Sequence, residues 1–173
     1  MKFLLVAHTI LFLLFNSIVY ANNNIVFINM DKVLSTSKPG SFVLRQLEDL
    51  NKKNIESFKK KETLLKEQEK NLINQKNILS DVEYNDRINK LKSEIDNYNA
   101  SKKKKILDFN TLRQKNTNKF LTLINEILAN YSDENKISII LQKKNLILGK
   151  SELDITDKVI IIVNNEIKEF EIK

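Results

Sequence analysis

The chain contains a long central stretch that lacks both glycine and proline. From Ser41 to Leu148, 108 consecutive residues include neither of them. Glycine and proline are the residues that most often interrupt regular structure. The stretch is also rich in Lys, Glu, Leu and Gln. It therefore predicts very long helices, with shorter elements confined to the two ends of the chain.

Residues 1–21 have the features of a secretory signal peptide. Lys2 is their only charge, an apolar run follows from Phe3 to Phe15, and Val19-Tyr20-Ala21 places small residues where a signal peptidase cleaves. We expect cleavage after Ala21 and export. The alternative is a retained membrane anchor, because the segment is nearly long enough to span about 30 Å of hydrocarbon. Polar residues such as His8 interrupt the run and favour cleavage.

The composition excludes most catalytic machinery. The single histidine, His8, lies in the leader, and the chain has no cysteine or tryptophan. Ser-His and Cys-His nucleophiles, Cys/His zinc sites and disulfides are thus excluded. Gly40 and Gly149 are too far apart for a phosphate-binding loop. Paired carboxylates can act without histidine, but here acidic residues alternate with lysines, as on solvated surfaces. We predict no enzyme activity, no catalytic residue, no metal and no cofactor.

The positive charge is concentrated in the middle of the chain. Residues 41–119 contain nineteen Lys and Arg against twelve Asp and Glu, a net charge of +7. Residues 22–40 carry +1 and residues 120–173 carry −2. A field of this kind speeds the encounter with acidic partners, and it also allows contact with an acidic membrane surface.

The first long helix has one apolar line instead of the two that a coiled coil uses. Its second line is continued by polar residues such as Lys61 and Gln68. A stripe this narrow is typical of a two-helix arm that is open to solvent. The line consists of Leu44, Phe58, Leu65, Leu72 and Leu79, all spaced at multiples of seven.

The long stretch is predicted to reverse near residues 78–86. Ser80 and Glu83 have the spacing of a capping box, which begins a helix. The alternative is one unbroken helix from Ser41 to Ser132. Ser41 is the predicted N-cap of the first helix, because Pro39-Gly40 is expected to break the preceding turn.

The two ends of the chain are predicted to form a small sheet body. Ile25–Met30 is a β-branched and aromatic run typical of a buried strand. Residues 137–141 and 146–148 are expected to form a second pair of strands. By propensity alone, Val159–Val163 is also a strand. The predicted division is a body of residues 22–40 and 120–173 and a helical hairpin arm of residues 41–119.

Three segments resemble the Skp/OmpH family of periplasmic chaperones: Ile25–Met30, Ser80-Asp81 and Leu153–Val159. The resemblance implies an α+β fold in which a small β body carries a long antiparallel helical hairpin, with three copies assembled around a cavity. It implies ATP-independent holding of unfolded outer-membrane proteins in the periplasm. It also implies a helix over residues 157–164, against local propensity. Residues 166–173 extend past the family's usual motif.

The resemblance and the charge pattern together select two sets of candidate site residues. Two alternative functions stay open: a structural coiled-coil adaptor of the envelope and a basic nucleic-acid-binding protein. The second is disfavoured because the sequence has no base-reading motif, so we expect no nucleic acid as a partner. The candidates for client binding are Lys76, Arg87, Lys90, Lys92, Lys102, Lys103, Lys104, Lys105 and Arg113. The candidates for oligomerisation are Ile25, Phe27, Ile28, Ile139, Leu141 and Ile147.

Overall fold

The computed structural model describes residues 24–173, so the predicted signal peptide lies outside the described residues. Two long antiparallel helices form a hairpin, and the shorter elements gather at its open end, which we call the base. This is the predicted α+β architecture. No helix among the described residues is both long and apolar enough to cross a bilayer. In chain order the elements are β1 (Asn24–Ile28), α1 (Met30–Thr36), α2 (Lys38–Asn74), α3 (Asp81–Glu134), β2 (Ile137–Gln142) and α4 (Thr156–Glu166).

The hairpin reverses in a short turn between α2 and α3. The Ser80 hydroxyl accepts a hydrogen bond from the Glu83 backbone N–H at 3.3 Å, and the Glu83 carboxylate accepts one from the Ser80 N–H at 3.4 Å. These bonds satisfy backbone groups that a helix start leaves without partners. The predicted capping box is confirmed, and the alternative of an unbroken helix is wrong.

The start of α2 differs from the prediction. The cap is Ser37, whose hydroxyl accepts from the Gly40 N–H at 3.3 Å, and Ser41 lies inside the helix. The preceding helix α1 ends at Thr36, before Pro39, and Pro39 lies in the first turn of α2, which has no need of its missing N–H. A Cβ atom at Gly40 would collide with the carbonyl oxygen of Leu34. Glycine therefore permits the close corner between α1 and α2.

The sheet of the base is a parallel pair formed by β1 and β2. Its register sets Ile25 beside Ile139 and Phe27 beside Leu141. The predicted strand at residues 146–148 is wrong, because β2 pairs with the start of the chain and is followed by a 3₁₀ turn. Lys136, with φ of 53°, adopts the left-handed conformation that ends α3 and turns the chain into β2.

The core of the base lies between the sheet, α1, α3 and α4. Its most enclosed residues come from distant parts of the sequence. The segment 157–164 is helical, as the family resemblance implies and contrary to its β-branched composition, because Val159 and Val163 share one buried face of α4. The buried cluster consists of Ile28, Val33, Phe120, Ile124, Ile127, Ile155, Val159 and Val163.

Candidate functional site

The candidate basic residues lie on α3, apart from Lys76 in the turn that precedes it. All of them except Lys102 are exposed. Arg87 donates a hydrogen bond to the side chain of Gln75 at 2.8 Å, and Lys104 forms an ion pair with Asp108 at 2.7 Å. Within residues 24–173 the other exposed members form no ion pair, so their ammonium and guanidinium groups face solvent: Lys76, Lys90, Lys92, Lys103, Lys105 and Arg113.

Lys102 has a different position from its neighbours. Its ammonium donates to Glu62 of α2 at 2.6 Å, and the Tyr98 hydroxyl donates to the same oxygen at 2.8 Å. The ammonium also lies 5.6 Å from the ring centre of Phe58 and 5.8 Å from that of Tyr98. Lys102, a candidate for client binding, therefore takes part in the contact between the two helices. These four residues, the mid-hairpin cluster, connect α2 to α3.

The contacts of the mid-hairpin cluster shift three pKa values. The hydrogen bond from Lys102 lowers the pKa of the Glu62 carboxyl, and the same bond raises the pKa of the Lys102 ammonium. Burial, followed by the hydrogen bond to Glu62, raises the pKa of the Tyr98 hydroxyl. The cluster therefore holds an ionised Glu62 between a cation and a neutral phenol near neutral pH.

Two shallow grooves follow the seam between α2 and α3, and both combine apolar and basic side chains. One lies toward the tip of the hairpin and the other beside the mid-hairpin cluster. Long lysine stems can cover apolar surface while their charges stay in water. The tip groove is lined by residues that include Leu72, Arg87, Lys90 and Leu91. The second groove is lined by residues that include Phe58, Lys61, Tyr98, Lys102 and Lys105.

The candidate oligomerisation residues fall into two groups. Ile25, Ile139 and Leu141 lie on the sheet face that points away from the core, and each is more than a third exposed. Ile147, in the loop after β2, is fully exposed. Ile28 is only 1% exposed and belongs to the core of a single chain, so it is not available to a second copy.

Phe27 lies on the outer sheet face, but its own chain covers it. It is only 6% exposed. The Lys143 ammonium lies 5.6 Å from its ring centre. A Cβ atom at Gly149 would come within 2.6 Å of the ring, so the close approach of this loop requires glycine. Phe27 thus holds the loop that carries Ile147 against the sheet.

A further site, which the sequence did not predict, lies where the hairpin joins the base. Residues 167–173 leave α4 and lie across α2 and α3. The side-chain amide of Gln46 on α2 and that of Asn116 on α3 both bind the backbone of this segment. Asn116 is a buried polar residue on a long helix, and no sequence signal pointed to this site. Its burial is not visible from the sequence alone.

Comparisons with known proteins agree with this architecture. A family model described as outer membrane protein (OmpH-like) matches residues 24–162. No curated protein matches the chain significantly. Among solved structures, a Caulobacter crescentus CB15 protein assigned as an OmpH-like outer membrane chaperone superposes with a TM-score of 0.78 at 16% identity. The superposition covers 88% of this chain and 90% of that one, and at this identity it concerns the fold alone.

Proposed function

The chain belongs to the OmpH-like family of outer membrane proteins, and from this premise we propose that it is an ATP-independent periplasmic holdase chaperone. It binds unfolded outer-membrane proteins between basic helical arms and prevents their aggregation. One observation carries the proposal: exposed cations such as Lys90 and Lys105, which form no ion pair within residues 24–173, lie beside a narrow apolar seam on a hairpin that projects from a compact base. A holdase needs no nucleotide, because it acts by binding the unfolded state.

The client contacts follow from the chemistry of the two grooves. An outer-membrane strand alternates apolar and polar residues, so in water it exposes apolar side chains that cannot be buried. Leu91 and Phe58, which are half-buried, offer apolar surface, and the neighbouring lysines supply long-range attraction. The positive field speeds capture, and the apolar contacts retain the client.

The capture step is tested by a charge change confined to the hairpin. The hairpin variant replaces Lys90, Lys92, Lys103 and Lys105 with Gln, all four being exposed and free of ion pairs within residues 24–173. We expect capture of a urea-unfolded outer-membrane barrel protein to slow by about tenfold at low salt. Its dependence on salt should also become flatter, since exposed charges are screened beyond about 8 Å at physiological ionic strength. Stopped-flow fluorescence and light scattering measure the two effects.

A matched control removes the same charge from the base. It replaces with Gln four lysines that are exposed and have no side-chain bond in the described part of the chain: Lys38, Lys144, Lys150 and Lys158. This variant should capture the client almost as fast as the natural chain. Equal capture rates in the two variants would show that net charge, and not the hairpin, governs the encounter.

We also propose that three copies assemble through the outer face of the sheet. Ile25, Ile139 and Leu141 form a small apolar patch there, and Ile147 extends it. A two-stranded sheet with such a face is not stable alone in water, and a symmetric assembly would cover it. Several arms around one client would add their contacts through effective concentration.

The assembly is tested by placing a charge in this patch. Ile139→Lys leaves the folded chain intact, because the side chain is 48% exposed. It should convert the trimer to monomers in sedimentation velocity. Val82→Lys, at a site in α3 near the hairpin tip that is 72% exposed, is the control and should leave the assembly unchanged. A natural chain that sediments as a monomer at micromolar concentration would refute the proposal.

A further inference from the structure

Residues 167–173 lie in a groove between α2 and α3 where the hairpin meets the base. We propose that this segment is an internal occupant of a binding site for extended polypeptide, and that a strand of an unfolded client replaces it. This inference rests on the proposed holdase function and adds a second contact surface for the same client. The family match ends at residue 162, so the segment lies beyond the matched region.

The bonds that hold the segment involve only its backbone. The Gln46 side chain donates to the carbonyl oxygen of Phe170 at 3.1 Å and accepts from the Ile172 N–H at 3.2 Å. The Asn116 side chain accepts from the Lys173 N–H at 3.3 Å and donates to its carbonyl at 3.4 Å. Every residue except proline offers both groups. The site can therefore bind many sequences, as a chaperone site must.

The side chains of the segment match the pattern of a barrel strand. From residue 169 to 173 polar and apolar residues alternate, and Phe170 and Ile172 are half-buried while Glu169, Glu171 and Lys173 are exposed. The Lys119 ammonium lies 4.1 Å from the ring centre of Phe170, within range of a cation–π contact. A client strand with an aromatic and an aliphatic residue two positions apart offers the same surface.

The contacts are suited to exchange. The side-chain amides that bind the segment are neutral, so each hydrogen bond contributes modestly, and its apolar side chains are only half-buried. When it leaves, the side-chain oxygens of Gln46 and Asn116 lose their donors, whereas the amino groups keep bonds to carbonyls of their own helices. The backbone N–H groups of another extended chain restore the lost bonds. If the segment fills the groove nine-tenths of the time, it lowers the apparent client affinity about tenfold.

Two variants should change client affinity in opposite directions. Ile172→Pro removes the N–H that Gln46 accepts from, so it should release the segment and tighten client binding, by up to about tenfold. Gln46→Glu removes the donor to the Phe170 carbonyl, so it should damage the groove and weaken client binding. Gln114→Glu, at an exposed site on α3 outside both grooves, is the matched charge control and should not change client affinity. The dissociation constant for an unfolded outer-membrane barrel protein is measured at fixed salt.

A peptide experiment separates this inference from the proposed function. A labelled peptide with the sequence of residues 167–173 should bind to a chain that ends at Glu166 and not to the full chain. The same peptide with proline in place of Ile172 should fail to bind. If the full chain binds no unfolded client, the proposed holdase function is refuted. Specific binding of the peptide would still establish that the groove binds extended polypeptide. If the peptide does not bind, or the two variants shift client affinity in the same direction, the inference is wrong.

Discussion

The base and the hairpin are built on different principles, although they share two helices. In the base, Ile28, Phe120 and Val159 are almost fully buried and come from the beginning, middle and end of the chain. In the hairpin, Leu65 and Leu72 are the buried members of a single line, and the mid-hairpin cluster adds polar contacts. A core enclosed on all sides thus stabilises the base, whereas a single line of contacts between two helices stabilises the hairpin.

The difference indicates how the two regions divide their roles. A seam can open at one place without disturbing the rest, so local opening of the hairpin costs much less free energy than unfolding the base. A surface that opens easily can adapt to clients of many shapes. The base, in contrast, has to keep its sheet face fixed if copies are to assemble there.

The largest expected effect comes from matched truncations of one aliphatic residue in each region. Ile124→Ala should lower the free energy of unfolding by about 2–5 kcal/mol, because its site on α3 is fully enclosed. Leu72→Ala should cost about 2 kcal/mol or less, because water reaches the edges of the seam and the helices can close on the gap. Urea denaturation followed by circular dichroism measures both variants.

Hydrogen exchange sharpens the same comparison. Ile124→Ala should accelerate exchange throughout the base, whereas Leu72→Ala should accelerate it only in nearby parts of α2 and α3. If the two variants lost equal free energy of unfolding and both accelerated hydrogen exchange throughout the chain, the hairpin and the base would unfold as one cooperative unit.

A smaller effect is expected from the mid-hairpin cluster. The pKa of Glu62 is lower in the folded chain than its ordinary value. Its contribution to stability is therefore present above the unfolded pKa and is lost as pH falls through the folded pKa. The protection of amides near Tyr98, which is the intrinsic exchange rate at the same pH divided by the observed rate, should fall over that acidic range. Protection in the base should change little. Glu62→Gln should remove the pH dependence of local opening.

The control for this test is Glu67→Gln, a change of the same chemistry at an exposed site farther along α2. Glu67 forms no ion pair in the part of the chain that the structure describes. The Glu67→Gln variant should leave the pH dependence of amide protection near Tyr98 unchanged. If both variants behave like the natural chain, the cluster does not control opening of the hairpin.

The sequence was most informative where the structure is local. The reversal of the hairpin follows from Ser80 and Glu83, which are only three residues apart in the sequence and bind each other. The apolar line of the first long helix follows from heptad spacing. The bond of Lys102 could not be predicted because its partner, Glu62, is on the other helix. The register between α2 and α3 is needed before that pair can be recognised.

The base was harder to predict because its contacts join distant residues. Residues 146–148 resemble a strand locally, but β2 pairs with β1 at the start of the chain. Val159–Val163 favours a strand by propensity, and only packing against the core makes it helical. The binding of residues 167–173 depends on Gln46 and Asn116, which nothing in the local sequence connects to that segment.

The parallel pairing of β1 with β2 has a consequence for how freely the length of the hairpin can vary. The hairpin leaves the base along α2 and returns along α3, so it brings the two strands together whatever its length. Each helical residue adds about 1.5 Å of reach. Equal insertions or deletions in the two helices, taken in whole heptads, keep the seam in register and leave the base untouched. The reach of the arm is therefore a variable that evolution can change separately from the fold that carries it.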